Sequence, residues 1–163
     1  MNSFSSLRVQ GELKYISNQH PTPRAILGLL RLVALNTNLA FEFSSFWKIR
    51  EFQLGDDLTS YGIFGDEDSR NIVYLVCSGK VRLLGFDATL RREVSTQLLV
   101  AEQIFGADDF FIHQSLQYRA IASSTGLIAC ITLNDLKPWF SQIPNLKDYL
   151  QKTTYERQTL IFF

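Results

Sequence analysis

The chain has 163 residues, 46% hydrophobic and 20% charged, with 16 Lys plus Arg against 16 Asp plus Glu. That length fits one domain with flanking elements and a real core, and the composition excludes the disordered class. Zero formal net charge removes the positive surplus by which phosphate backbones are bound, so nucleic acid is excluded as a partner.

The start, Met1-Asn2-Ser3-Phe4-Ser5-Ser6, lacks the basic and apolar regions of a secretory signal. No apolar run approaches the roughly 18 residues of a spanning helix, so no direct membrane span is expected. The expected location is cytoplasmic, with membership of a membrane transporter left open. Residues 1–45 read as an N-terminal helical segment. Within it Thr22 caps and Pro23 opens a helix whose apolar face is Ile26, Leu29, Leu30, Val33 and Ala34. Asn36-Thr37-Asn38 stops that helix, and 39–46 is short helical or irregular chain.

From 46 to 134 short apolar runs alternate with turn signals about every ten residues, the pattern of a β-barrel or roll. Turns are expected at 54–57 around Gly55 and Asp56, at 64–68, at Ser78-Gly79-Lys80, at 85–87 and at Thr125-Gly126. Strands are expected over 72–77, 81–86, 93–99, 118–123 and 127–133, runs rich in β-branched and aromatic residues. Beyond Leu133 the texture is helical again, giving a C-terminal segment over 135–163. Asn134 is the expected cap of a helix carrying Trp139 and Phe140, and Pro144 its end. Asn145 then caps a second helix with Leu146, Tyr149, Leu150, Thr153, Leu160 and Ile161 on one face. The apolar end, Leu160-Ile161-Phe162-Phe163, leads to the expectation of a piece cut from a longer polypeptide.

Chemistry-bearing residues are sparse. Cys77 and Cys130 lie inside apolar runs and read as buried thiols of a reducing compartment. The two histidines, His20 and His113, are far apart and fit no metal-ligand spacing, so no metal is expected. Ser78 lacks a nucleophile elbow and Cys77 a basic neighbour, so no catalytic residue is expected and the chain reads as not an enzyme.

Three segments together resemble the cyclic-nucleotide-binding domains of catabolite-activator-type regulators, kinase regulatory subunits and gated channels. They are Phe52-Gln53-Leu54-Gly55-Asp56, Val73 to Val81 with its Ser78-Gly79 turn, and Ile104-Phe105-Gly106 followed by Tyr118-Arg119-Ala120. The likeness runs from about Phe46 to Leu150. It implies a mainly β fold with flanking helices: a jelly-roll-like β-roll, a double-stranded β-helix, with helices before it and a helix pair after it. Residues 74–86, 93–99 and 118–124 look most like the N-terminal module of bacterial peptidase-containing ABC exporters of the heterocyst-differentiation type. That narrower likeness implies peptidase and ABC transporter domains as the missing partners in one polypeptide.

In that family a cyclic phosphate rests on backbone N–H groups at a short helix start, and an Arg fork pairs with its oxygens. The resemblance assigns the pocket to Phe105, Gly106, Ala107, Asp108, Arg119 and Ala120. Where the family has a ribose-binding Glu this chain has Ala107, and losing a charged acceptor removes roughly 1.5 to 3 kcal/mol. Asp108 and Asp109 are expected to complement the helix dipole themselves and to repel an anion. Bulky Phe110, Phe111, Ile112 and Leu116 either fill the pocket or pack the cassette helix. Cyclic AMP is therefore expected to bind weakly or not at all. Two readings follow: Arg119 holds another small anion, such as 2-oxoglutarate, or the pocket is vestigial and the module docks on other domains or a second copy through its terminal helices. In either case Trp139, Phe140 and Tyr149 are expected to pack the C-terminal helices.

Overall fold

The computed structural model describes residues 21–34, 38–60 and 68–161. The expectations for 1–20, for the Asn36-Thr37 part of the helix stop, for most of the 64–68 turn and for Phe162-Phe163 lie outside those residues.

The elements run α1 (Pro21–Val33), α2 (Ala40–Ser45), β1 (Lys48–Phe52), β2 (Ile72–Ser78), β3 (Val81–Asp87), β4 (Arg92–Leu99), β5 (Ile104–Gly106), α3 (Asp108–Phe111), β6 (Tyr118–Ala122), β7 (Gly126–Thr132), α4 (Leu133–Leu136), α5 (Trp139–Gln142) and α6 (Pro144–Ile161). A 3-10 turn at Ser69–Asn71 leads into β2. Two antiparallel sheets form, one ordered β1-β7-β2-β5 and one β4-β3-β6. This is the mainly β, jelly-roll-like roll with flanking helices that the sequence implies.

The continuous apolar runs of β2 and β7 follow from burial on both faces. Ile72, Tyr74, Val76, Ile128 and Cys130 point between the sheets, where Phe52, Leu58, Val81, Leu83, Phe105, Ala120 and Ala122 complete an inner core. Val73, Leu75, Cys77, Leu127, Ala129 and Ile131 point the other way, into an outer core roofed by the helices. There α1 buries Ala25, Ile26, Leu29, Leu30 and Val33, each at most 2% exposed, and packs on β2. Trp139 joins from α5, its ring edge-on to Phe43 at 5.1 Å and to Phe46 at 5.6 Å. Phe140 and Tyr149 pack partly buried against the same core.

The helix boundaries differ from expectation at three places. Helix α1 already contains Pro21 and Thr22; a proline costs nothing in a first turn, where its missing N–H has no partner to lose. The cap after β7 is Thr132, whose Oγ1 accepts the Asp135 N–H at 3.2 Å, and Asn134 sits inside the turn. Pro144 opens α6 instead of ending its predecessor, for the same first-turn reason. The expected face of that helix is also rotated: Leu146 and Leu150 are buried, but Leu160 is 43% exposed and the next buried positions are Thr154, Arg157, Gln158 and Ile161. Three of these are polar, so apolar periodicity could not place them.

Candidate functional site

A cavity of about 290 Å³ opens where β5, α3 and β6 meet the 57–60 and 68–70 segments. Phe105, Gly106, Ala107, Asp108 and Arg119 all line it, so the structure brings five of the six expected pocket residues together. Ala120 is instead fully buried in the inner core, with its N–H donating to Thr59 Oγ1 at 3.3 Å. Four carboxylates (Asp57, Asp68, Asp108, Asp109) face two guanidiniums (Arg70, Arg119) around the wall.

Gly106 is required by the fold itself. Its φ is +108°, and a Cβ there would overlap the Ile72 carbonyl oxygen and sit 2.9 Å from the Tyr74 ring. A side chain rarely adopts that conformation even where space allows. The close approach belongs to strand β2, and no ligand has to be invoked for it. Ala107 follows in the left-handed region at φ 55°, which aims Asp108 inward. Gly55 and Gly79, the expected turn glycines, also have positive φ, +91° and +84°. The Asp56 carboxylate closes its turn by accepting the Gln53 N–H at 2.9 Å.

The cassette helix α3 is a single turn, Asp108–Phe111, and neither acid serves it as a cap. Both acids stand in its first turn, where Asp109 accepts from the Ser115 hydroxyl and Asp108 turns toward α6. The neighbouring bulk mostly packs: Phe111 and Ile112 join the outer core, while Phe110 lies on the surface with Lys137 5.0 Å from its ring centre. Leu116 alone of the four lines the cavity.

Arg119 stands at the rim with its fork occupied. Its Nε and Nη2 donate to the two Glu93 oxygens at 2.7 and 2.6 Å, and its Nη1 to Asp57 at 3.2 Å. These bonds, Glu93 first, hold the guanidinium above its ordinary pKa, and the Arg119 bond holds the Glu93 carboxyl below the usual range. The Gly106 N–H, just before the short helix, donates to the Tyr118 hydroxyl at 3.2 Å.

Behind the wall lies a network that sequence reasoning missed. Tyr118 donates its hydroxyl proton to Asp108 Oδ1 at 2.9 Å. Arg157 of α6 donates to both Asp108 oxygens, at 2.8 and 3.1 Å, and Gln158 adds a third bond at 2.8 Å. Asp108 is 8% exposed, Arg157 3% and Gln158 2%. Burial alone would lower the Arg157 pKa; the Tyr118 and Asp108 oxygens outweigh it and hold the pKa above its ordinary value. Burial pushes the Tyr118 phenol well above its usual range, so it stays a hydrogen-bond donor. The second guanidinium bonds go to Ile104 O and Thr154 Oγ1, both at 3.3 Å. Gln158 also exchanges two bonds with the Leu116 backbone, at 2.8 and 2.9 Å. The sequence separation of 49 residues between Asp108 and Arg157, and the polar character of Arg157-Gln158, leave no local signal for this site.

One buried hydroxyl at the cavity, that of Tyr74, has no hydrogen-bond partner, while its ring stacks on Phe105 at 4.8 Å. Cys77 is buried in the outer core and His113 is exposed after α3. Among the described residues no group of three or more His, Cys, Asp or Glu is placed to hold a metal ion.

No protein-family model matches the chain, and no curated protein matches it. Among solved structures it is similar to a cyclic nucleotide-binding domain from Methylobacillus flagellatus, at 16% identity over 93% of this chain and 80% of that one, with a TM-score of 0.62. It is similar to the regulatory domain of Toxoplasma gondii PKA with cAMP (14% identity, 85% and 49% covered, TM-score 0.63). A third likeness is to the Thermus thermophilus catabolite activator protein (20%, 80% and 57%, 0.60). The chain spans about half the length of these last two. At such identities the likeness reaches the backbone and not the chemistry: the chain has the β-roll fold of cyclic-nucleotide-binding domains.

Proposed function

We propose that this chain is a non-catalytic regulatory or docking module whose pocket binds cyclic AMP weakly or not at all. The observation that carries the reading is the occupied Arg119 fork: all three of its nitrogens already donate to Glu93 and Asp57. An incoming phosphate has to displace a bidentate carboxylate pair, and Asp109 adds a further carboxylate to the wall that it would meet. Ala107 supplies no ribose acceptor, and the Gly106 N–H is engaged. The finer reading, from the resemblance of 74–86, 93–99 and 118–124, makes the module the N-terminal domain of a peptidase-containing ABC exporter. No described helix is long and apolar enough to cross a membrane, so in that setting the span belongs to other segments.

The test is calorimetric titration of the protein with cyclic AMP, cyclic GMP, cyclic dinucleotides and 2-oxoglutarate, with Arg119→Ala alongside. No saturable heat from any of them is expected. Tight cyclic AMP binding that disappears in Arg119→Ala overturns the proposal. One observation favours the runner-up, a small-anion sensor: the cavity is open and Arg119 keeps 48% of its side chain exposed at the rim. Saturable 2-oxoglutarate binding, lost in the same variant, would establish that reading instead.

A further inference from the structure

The buried side of α6 changes character halfway along. Leu146 and Leu150 belong to the outer apolar core; past them the buried positions are Thr154, Arg157 and Gln158, closing with Ile161. A polar face gains little from leaving water, so apolar burial holds the second half of this helix mainly through Ile161 at its end. What meets the polar face is one carboxylate. Asp108 accepts four bonds, two from Arg157, one from Gln158 and one from Tyr118, and the remaining Arg157 and Gln158 donors reach backbone carbonyls or Thr154. Arg157 also lies 5.7 Å from the Tyr118 ring centre. A planar fork, an amide and a phenol converging on two oxygens is how a protein recognises a bound carboxylate. Here the carboxylate belongs to the cassette itself.

We propose that Asp108 is a built-in ligand, and that the distal half of α6 is held on the roll by recognising it, with no diffusible effector required. The helix is then docked constitutively and hinges near Leu150, where its buried face turns from apolar to polar. Asp108 and Tyr118 also line the cavity, but the inference rests on their bonds to α6 and on no cavity ligand.

Hydrogen exchange of the full chain tests it. In the wild type without added ligand, amides from Thr154 to Ile161 are expected to be protected like those of β2 and β7. Asp108→Asn is expected to speed their exchange on the order of a hundredfold, since one partner of a buried ion pair has lost its charge. The segment around Leu146 to Leu150 should keep its wild-type rate. In Asp108→Ala, formate is expected to restore protection, and chloride at equal ionic strength to leave it low. Wild-type exchange of the distal amides at the rate of a free peptide overturns the proposal. So does unchanged protection in the folded variants, because apolar contacts would then suffice. Should the Asp108 variants not fold, Gln158→Met keeps the ion pair and removes one bond to the carboxylate. A smaller rise confined to the same amides supports the proposal, and no rise overturns it.

Discussion

Arg119 joins three separate segments through one side chain, since Glu93 lies on β4, Asp57 in the turn after β1 and Arg119 itself on β6. The pair is half in water, where exposed ion pairs contribute little stability, so its effect is on what the pocket admits and not on whether the roll folds. It leaves a measurable trace in the titration of Glu93. The Arg119 bond lowers that carboxyl below the ordinary glutamate value of 4.5. A depressed folded-state pKa means the pair's stabilisation is present above the unfolded value and fades as pH falls through the folded one. Carboxyl NMR is expected to put the Glu93 midpoint below 4.5, and Arg119→Ala to return it toward 4.5. A midpoint indifferent to Arg119 would mean that the fork is not held in solution.

At the scale of elements, the joint between β7 and the C-terminal helices rests on Thr132, 9% exposed, whose Oγ1 satisfies the Asp135 N–H. Thr132→Ala is expected to lower stability by about 1 kcal/mol, and Thr132→Ser to recover most of it, by chemical denaturation. The same joint shows how far a sequence carries. Strands β2, β3, β4, β6 and β7 were legible because apolar and β-branched runs between turn residues have few other structures open to them. Strand β5 was not, because its three residues carry too short a pattern and read as the opening of the cassette. Helix α6 was legible as a helix but not in its rotation: Thr154, Arg157 and Gln158 look like a solvated face until Asp108 is brought to them. The pocket was legible where residues are local, as in Phe105-Gly106-Ala107, while Tyr118 and Asp57 were visible only as strand and turn.

The whole molecule places its two thiols out of reach. Cys130 is 0% exposed in the inner core and Cys77 4% exposed in the outer one, and burial pushes the Cys130 thiol well above its ordinary pKa. Only the thiolate reacts, so a thiol reagent is expected to modify Cys130 at the rate of global opening, unaffected by raising reagent concentration once opening limits. Labelling of Cys130 while the far-UV spectrum stays native would refute this. Double burial of the middle strands carries one more consequence. A strand with one wet face is aligned by its alternation, because a one-residue slip would turn its greasy side outward. For β2 and β7 a slip exposes nothing, so misalignment has to be penalised by shape. Gly106 faces Val73 and Gly126 faces Phe52, and a Cβ at either would strike backbone oxygen, of Ile72 and Ser78 respectively. Those two hydrogens act as notches in a key: only one alignment of the sheet brings the missing side chains to the places where nothing larger fits.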